Sequence, residues 1–466
     1  MPAHLAGAPP RGDMNGLNQC WHETVRRAPA ALAVIDGHTG LAWTRVELAA
    51  AATAWRAQLS APAALAGRLV MMSEPNGARW FQVFLGLLLA DAVPVPADPT
   101  EPVGALVETA RVIGAAWIWH GDRLDPATPR RPVRRRDLCL IKLTSGSTGT
   151  PRARRFTHAE MLGDGRQVCA SMGIRPDDVN LAVVPLGHSY GLGSLVVPLL
   201  AQGTALLCSG SPLPNVLAAD CARWRPTVFP AVPTLLRAMA RADVDPAAFA
   251  SLRLVISAGA PLAPEDAAAF AGKFGQRVHG FYGASETGGI SYDRTGEATL
   301  AGRSVGTPME GVTLHWRRGR RFAVQSAAVM GGGCFAPADR GRLNELGELV
   351  LLGRAGRLVK IAGRRLDLAE IESALRAVPG VRDACAMAHP QLADALAAAA
   401  STGLSAAELR QALRTRLAPW KIPERLLALP ELPQTARGKT DRRQVEALLK
   451  RSGSGAGRPS GGHSIG

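Results

Sequence analysis

Short apolar, β-branched segments alternate with alanine- and leucine-rich helical ones along most of this chain, and that alternation restricts its fold more than any other feature. "ALAVIDG" precedes "TRVELAAAATAWRAQL", where apolar positions recur at helical spacing and Thr44 with Glu47 fits a capping box. "GRLVMMS" precedes "GARWFQVFLGLLLA", and "VNLAVVPL" precedes "GLGSLVVPLLAQ". "TVFPAV" precedes "PTLLRAMARA", and "LRLVISAG" precedes "PEDAAAFAGKFG" and then "RVHGFYG". Repeated strand–helix units require parallel sheets covered by helices, an α/β class. After "GELVLLGR" the rhythm changes to a turn region, the helix "LAEIESALRAV", the strand "DACAMAH" and the helix "SAAELRQALRTRL". A boundary near Arg354–Gly356 follows. The expected organisation is a flexible N-terminus over 1–16, a large domain of helix-flanked sheets over 17–354, a small mobile α+β domain over 355–450 and a Gly/Ser-rich tail over 451–466.

Composition limits the partners. The 466 residues carry a formal charge of +16, which favours anionic partners. Of the 54 basic residues six are lysine and 48 arginine, so each lysine stands out. No aromatic-interleaved basic platform for nucleic acid is present. The apolar runs are broken by Asp91, or by Pro198 and Gln202, and are too short to span a bilayer. Seven widely spaced cysteines without a C-x-x-C pair argue against disulfides and zinc, and for a reducing cytoplasm.

One segment invites a chemical reading. "CLIKLTSGSTGTPRARRFTH" runs from an apolar strand through a polar loop into basic residues. Gly146 and Gly149 permit close backbone approach. Thr144, Ser145, Ser147 and Thr148 supply hydroxyls, and such a loop makes an anion-binding concavity. It lacks the Lys-Ser/Thr of the nucleoside-triphosphatase loop.

Seven stretches in order resemble the adenylate-forming enzymes: acyl- and aryl-CoA ligases, adenylation domains and luciferases. They are "TSGSTGTPR", "PLGHSYGLG", "SAGAPL", "FYGASETG", "APADRGRL" with "GELVLLGR", "KIAGRRLDLAEIE" and "PQTARGKTDRR". The resemblance covers roughly residues 17 to 450. It implies attack of a carboxylate on the α-phosphate of ATP, release of pyrophosphate, and transfer of the acyl group to the thiol of CoA or of a carrier-protein phosphopantetheine. By resemblance, Thr144, Ser145, Gly146, Ser147, Thr148 and Gly149 hold the β- and γ-phosphates. Gly259, Ala260 and Pro261 run along the adenine and acyl pocket. Tyr282 stacks on adenine beside Gly283, Ser285 contacts phosphate, and Glu286 binds Mg²⁺. Asp339 and Arg354 hold the ribose. Lys439, a lysine among arginines, bridges the attacking carboxylate and the phosphate. A non-catalytic reading gives Glu286 the role of a helix N-terminal acid instead.

The same resemblance addresses the acid. Amino-acid adenylation domains usually carry an aspartate after the fourth-motif aromatic. Here "PLGHSYGLG" has no acid, which disfavours amino acids. His188 would border the reacting carboxylate, with Tyr190, Gly191, Phe229 and Gly283 at the acyl group. The glycines at 187, 191 and 193 would leave it room. Tyr190 suits an aromatic or hydroxyaryl acid, with a fatty acid as the alternative. An acidic acyl carrier protein could present the thiol, and "RRPVRRR" (130–136) is a candidate contact. Three departures stand out: Arg152 and Ala153 where relatives have Lys-Gly, and Gly356 where they have Asp or Lys at the hinge.

Overall fold

The computed structural model describes residues 16–59, 61–127, 138–145, 151–354, 358–361, 364–392, 395–417, 419–435 and 438–451. They divide into two compact units. The first is Met1–His315 with Ala323–Pro337 and Gly347–Leu349; the second is Trp316–Phe322, Ala338–Leu346 and Val350–Gly466.

The first unit holds two helix-covered sheets, as the alternating pattern requires. Its elements begin with helix α1 (Leu17–Arg27), strands β1 (Leu32–Asp36) and β2 (Leu41–Thr44), and helix α2 (Arg45–Ala57). Next come β3 (Leu69–Met72), α3 (Ala78–Leu89), β4 (Val93–Pro96), α4 (Val103–Ile113), β5 (Trp117–His120) and β6 (Arg123–Pro126). The hairpin β7 (Leu138–Ser145) and β8 (Pro151–Thr157) follows, then α5 (His158–Met172). The larger sheet is built from β1, β2 and the strands β9 (Val179–Leu181), β10 (Ala205–Cys208), β11 (Val228–Ala231), β12 (Leu254–Ser257), β13 (Val278–Ala284), β14 (Gly288–Tyr292) and β15 (Thr307–Pro308).

The larger sheet has nine strands in the order β15-β14-β13-β12-β11-β9-β10-β1-β2. Its six central strands are parallel, and β2, β14 and β15 join antiparallel at the edges. The smaller sheet runs β4-β3-β5-β6, with the first three parallel. The strands buried on both faces read as continuous apolar runs, as in β3, β4, β11 and β12.

The capping box at α2 is present: Thr44 Oγ1 accepts from the Glu47 amide, and Glu47 Oε2 accepts from the Thr44 amide at 2.8 Å. Helix α3 is buried nearly all round. Gly86 lets it approach α2, since a Cβ there would lie 2.2 Å from the Trp55 ring. Among the described residues no helix is long and apolar enough to cross a membrane. All seven cysteines are free thiols.

The second unit builds its own core. A three-stranded sheet of Val381–Ala388, Leu396–Thr402 and Arg425–Leu429 carries helices on both faces. Ala398 and Ala400 pack with Ile371, Leu375, Leu409 and Leu413 on one side. Ala397 and Ala399 pack with Val445 and Leu449 on the other.

Candidate active site

The stretch after the phosphate-loop motif, read from the sequence as a basic run, is the return strand β8. It pairs antiparallel with β7 in the register Ser145↔Pro151, Thr144↔Arg152, Leu143↔Ala153 and Lys142↔Arg154. Gly146, Ser147, Thr148 and Gly149 lie between these strands and outside the described residues, as does the Ser145 side chain. Thr144 Oγ1 sits 3.5 Å from the Arg152 carbonyl. Strand β7 is buried on both faces from Leu138 to Lys142. Period-two alternation sends Ile141, Leu143 and Ala153 to the smaller sheet's core. Leu140, Lys142, Arg154 and Phe156 take the other face. Arg152 and Arg155 are exposed.

Arg154 reaches the acidic candidate. Its Nη2 lies 2.8 Å from Glu286 Oε1, with the two side chains 25% and 16% exposed. Glu286 occupies the turn Ser285–Thr287 between β13 and β14. It is not at a helix N-terminus, so the dipole reading of this acid does not apply. Its carbonyl accepts from the Met330 amide at 2.9 Å. Tyr282 stands on β13 opposite Ser291, half-buried, one residue before a bulge at Gly283. Gly283 is required by the hairpin, since a Cβ would meet the Gly288 carbonyl at 2.6 Å. Ser285 is half-buried beside Glu286. The phosphate-loop hairpin and the Tyr282–Glu286 turn are therefore tied together by an ion pair that sequence reading missed, because Arg154 was one more arginine in a basic run.

His188 leads into the short helix Ser189–Gly191, with its Nε2 3.9 Å from Asp98 Oδ2. Asp98 follows β4, so this contact joins the smaller sheet's edge to the fourth motif. The Tyr190 ring lies 5.6 Å from Phe281, tilted by 49°. Its hydroxyl is buried against the Ala231 backbone without a well-formed hydrogen bond. Burial, with Tyr292 adding to it, raises the Tyr190 phenol above its ordinary value, so it stays protonated.

The glycines of this motif serve the chain itself. A Cβ at Gly187 would meet Pro96 at 2.8 Å, one at Gly191 the Pro185 carbonyl at 2.1 Å, and one at Gly193 Asp164 Oδ2 at 2.4 Å. Those positions are filled by protein, which replaces the expectation that they open space for an acyl group. Phe229 is corrected as well. It has no exposed surface and packs with Leu217, Leu236, Met239, Phe249 and Phe270 under the larger sheet.

Gly259, Ala260 and Pro261 follow the carboxyl end of β12, where ligands of open α/β sheets bind. Gly259 has φ +89°, a conformation that keeps this turn free of a side chain. In the second unit, Asp339 opens the strand Asp339–Leu343 and is half-buried. Arg354 ends the strand Leu349–Arg354, its side chain outside the described residues together with Gly356, 130–136 and Arg437. Lys439 is exposed on a tight turn. There the Thr435 amide donates to the Lys439 carbonyl at 2.8 Å, and Gly438 has φ +67°.

Among the described residues no group of three or more His, Cys, Asp or Glu side chains could hold a metal ion by itself. Beside the phosphate-loop hairpin stands the partly buried carboxylate of Glu286. That set suits a hard cation whose other ligands are phosphate oxygens.

The sequence profile of AMP-binding enzymes matches residues 107–315, and that of the AMP-binding enzyme C-terminal domain matches residues 370–439. The chain belongs to the AMP-binding enzyme family. The first match spans the β7–β8 hairpin, His188, the β12 turn and Glu286; the second contains Lys439.

Among curated relatives, the AMP-binding chain is 29% identical to 2-hydroxy-7-methoxy-5-methyl-1-naphthoate–CoA ligase of Streptomyces carzinostaticus, over 70% of its own length and 64% of that protein's. It is 26% identical to a feruloyl-CoA synthase of an Amycolatopsis species, over 91% of this chain and 97% of the other. Klebsiella oxytoca NpsA, solved with 3-hydroxyanthranilyl-AMSN, shares the fold at a TM-score of 0.79 and 21% identity, covering 94% of this chain and 100% of that one.

Proposed function

We propose that this AMP-binding enzyme is an acid–thiol ligase. It would join an aromatic or hydroxyaryl acid to AMP with release of pyrophosphate, then pass the acyl group to the thiol of CoA or of an acidic carrier protein's phosphopantetheine. The observation that carries the reading is the Arg154–Glu286 pair, which sets a carboxylate and a guanidinium at the mouth of the phosphate-loop hairpin. Relatives named as ligases or synthases of a hydroxynaphthoate and of feruloyl-CoA, and a like fold solved with a hydroxyanthranilyl ligand, support the acid class.

Each residue then has a task. The loop 144–149 cradles the phosphates through backbone amides and hydroxyls. Glu286 would hold the Mg²⁺ that accompanies ATP, an ion that would supply charge neutralisation on phosphate oxygens. Arg154 holds Glu286 in place until the nucleotide arrives. Tyr282 packs against adenine, and Ser285 donates to phosphate. Gly259, Ala260 and Pro261 line the adenine and acyl side. Asp339 and Arg354 take the ribose, and Lys439 bridges carboxylate and phosphate. His188 steers the reacting carboxylate, and the protonated Tyr190 hydroxyl donates to a polar group on the acid's ring. Positioning and electrostatics dominate, because the chemistry itself needs charge spread over oxygens rather than a protein nucleophile.

The test is ATP–pyrophosphate exchange across benzoic, hydroxybenzoic, hydroxycinnamic, fatty and amino acids, followed by thioester formation with CoA and with a phosphopantetheinylated carrier. Exchange is expected with the hydroxylated aryl acids. Exchange confined to amino acids or fatty acids would overturn the acid class, and exchange with none would overturn the ligase.

A further inference from the structure

Lys142 is one of six lysines, and it is buried on the strand that leads into the phosphate loop. Its side chain is 1% exposed; its Nζ lies 3.8 Å from Asp164 Oδ2 and 4.1 Å from the centre of the Phe156 ring. Among the described residues no hydrogen bond reaches that ammonium. Burial pushes the lysine down from its usual range, and Asp164 works against that shift. A buried ion pair is a poor source of stability; an apolar pair of similar volume is often as good or better. Its presence calls for another reason.

The reason lies on the far side of the carboxylate. Asp164 Oδ1 accepts the Gly289 amide at 3.1 Å, and one turn further along α5 Gln167 Nε2 donates to the Gly289 carbonyl at 2.6 Å. Both polar groups of that residue are thus held by one helix. Gly288, at φ +65°, is its neighbour, and a Cβ there would lie 2.2 Å from Asp164 Oδ1. With the clash at Gly193, two glycines from separate motifs keep space for this one carboxylate. Gly288 opens the strand that leaves the Ser285–Thr287 turn, two residues after Glu286. The same face of α5 holds the turn's other neighbour: Glu160 Oε1 accepts the Gly331 amide at 2.7 Å, beside Met330, which donates to the Glu286 carbonyl.

We infer that Asp164, paired with Lys142, is a positioning residue of the active site: its side-chain oxygen holds the Gly288–Gly289 leg of the hairpin and thereby sets the direction of the Glu286 carboxylate. The inference rests on the adenylation reading for its kinetic consequence, but not for its structural one.

Two double variants separate position from charge. K142M/D164N removes both charges and keeps a carbonyl oxygen for the Gly289 amide. K142M/D164L removes both charges and the acceptor. The measurements are thermal unfolding, hydrogen exchange of the peptide 283–291 without nucleotide, and pyrophosphate-exchange kinetics with the magnesium dependence. Both variants should fold. The asparagine variant should keep wild-type protection of 283–291 and a kcat within about threefold of wild type. The leucine variant should lose protection there, lose about tenfold or more in kcat, and need more Mg²⁺ for half-saturation, with the KM for the acid unchanged. Equal protection and equal kcat in the two would overturn the inference. Should the leucine variant not fold, K142M/D164A, which removes the acceptor with a smaller side chain, is read in the same way. If the wild type exchanges pyrophosphate with no acid, the proposed function fails, while the exchange of 283–291 still decides the positioning.

Discussion

Phe229 and Lys142 show at the residue scale why the motif order was legible and some of its meaning was not. The "FYGASETG" stretch put Tyr282, Ser285 and Glu286 side by side because they are neighbours in sequence. What holds them was invisible: Asp164 bonds an amide 125 residues away, and nothing local marks it. Phe229 followed from its place in a resemblance, yet strand alternation turns it into a dry core. That placement is testable. Phe229→Leu should lower stability by about 1 kcal/mol, through lost ring packing in a site that cannot fully collapse. It should leave the ratio of kcat/KM between aryl acids unchanged, whereas Tyr190→Phe should change it. A selectivity shift in Phe229→Leu, measured across the acid panel, would return that residue to the acyl pocket.

At the element scale, helices announced themselves through caps and periodicity, while two strands hid behind their composition. The capping box at Thr44 was readable from four letters. The run Leu396–Thr402 is rich in alanine, a strong helix former, yet it is the middle strand of the second unit's sheet. Tertiary context decides here: small side chains alternate towards two helix layers, and alanine lets both come close. Strand β8 hid because its arginines mask the alternation of Ala153 and Phe156. Helix α5 holds both Gly289 and Gly331 through its side chains. Thr157 caps it, with Thr157 Oγ1 accepting the Glu160 amide and Glu160 Oε2 accepting the Thr157 amide at 2.8 Å. Glu160 is therefore both a cap and the acceptor for Gly331. Thr157→Ala removes one half of the box and should cost about 1 kcal/mol in denaturant unfolding. It should also lower kcat for pyrophosphate exchange, because fraying the first turn loosens Glu160. A stability loss with unchanged kcat would confine the cap to folding.

At the scale of the whole molecule, the division of labour falls between two units with separate cores. The first carries the phosphate-loop hairpin, Glu286, His188 and Tyr190. The second carries Lys439 on an exposed turn between the segment after Arg425–Leu429 and the helix Arg442–Arg451. Lys439 is exposed on this turn. The bridging role proposed for it belongs to the adenylation step alone. Lys439→Ala should therefore abolish ATP–pyrophosphate exchange, by a factor of about 10² or more, since the bridge between the attacking carboxylate and the phosphate is lost. The same variant, given a synthetic aryl-adenylate and CoA or carrier thiol, should still form the thioester at close to the wild-type rate. Thermal unfolding should not move, because an exposed lysine contributes little to either core. Arginine at this position is the informative control: it keeps the charge but spreads it over a planar fork, so Lys439→Arg should recover only part of the exchange activity. Equal loss of both half-reactions in the alanine variant would place Lys439 in general substrate binding instead, and a full recovery in the arginine variant would reduce its role to long-range charge.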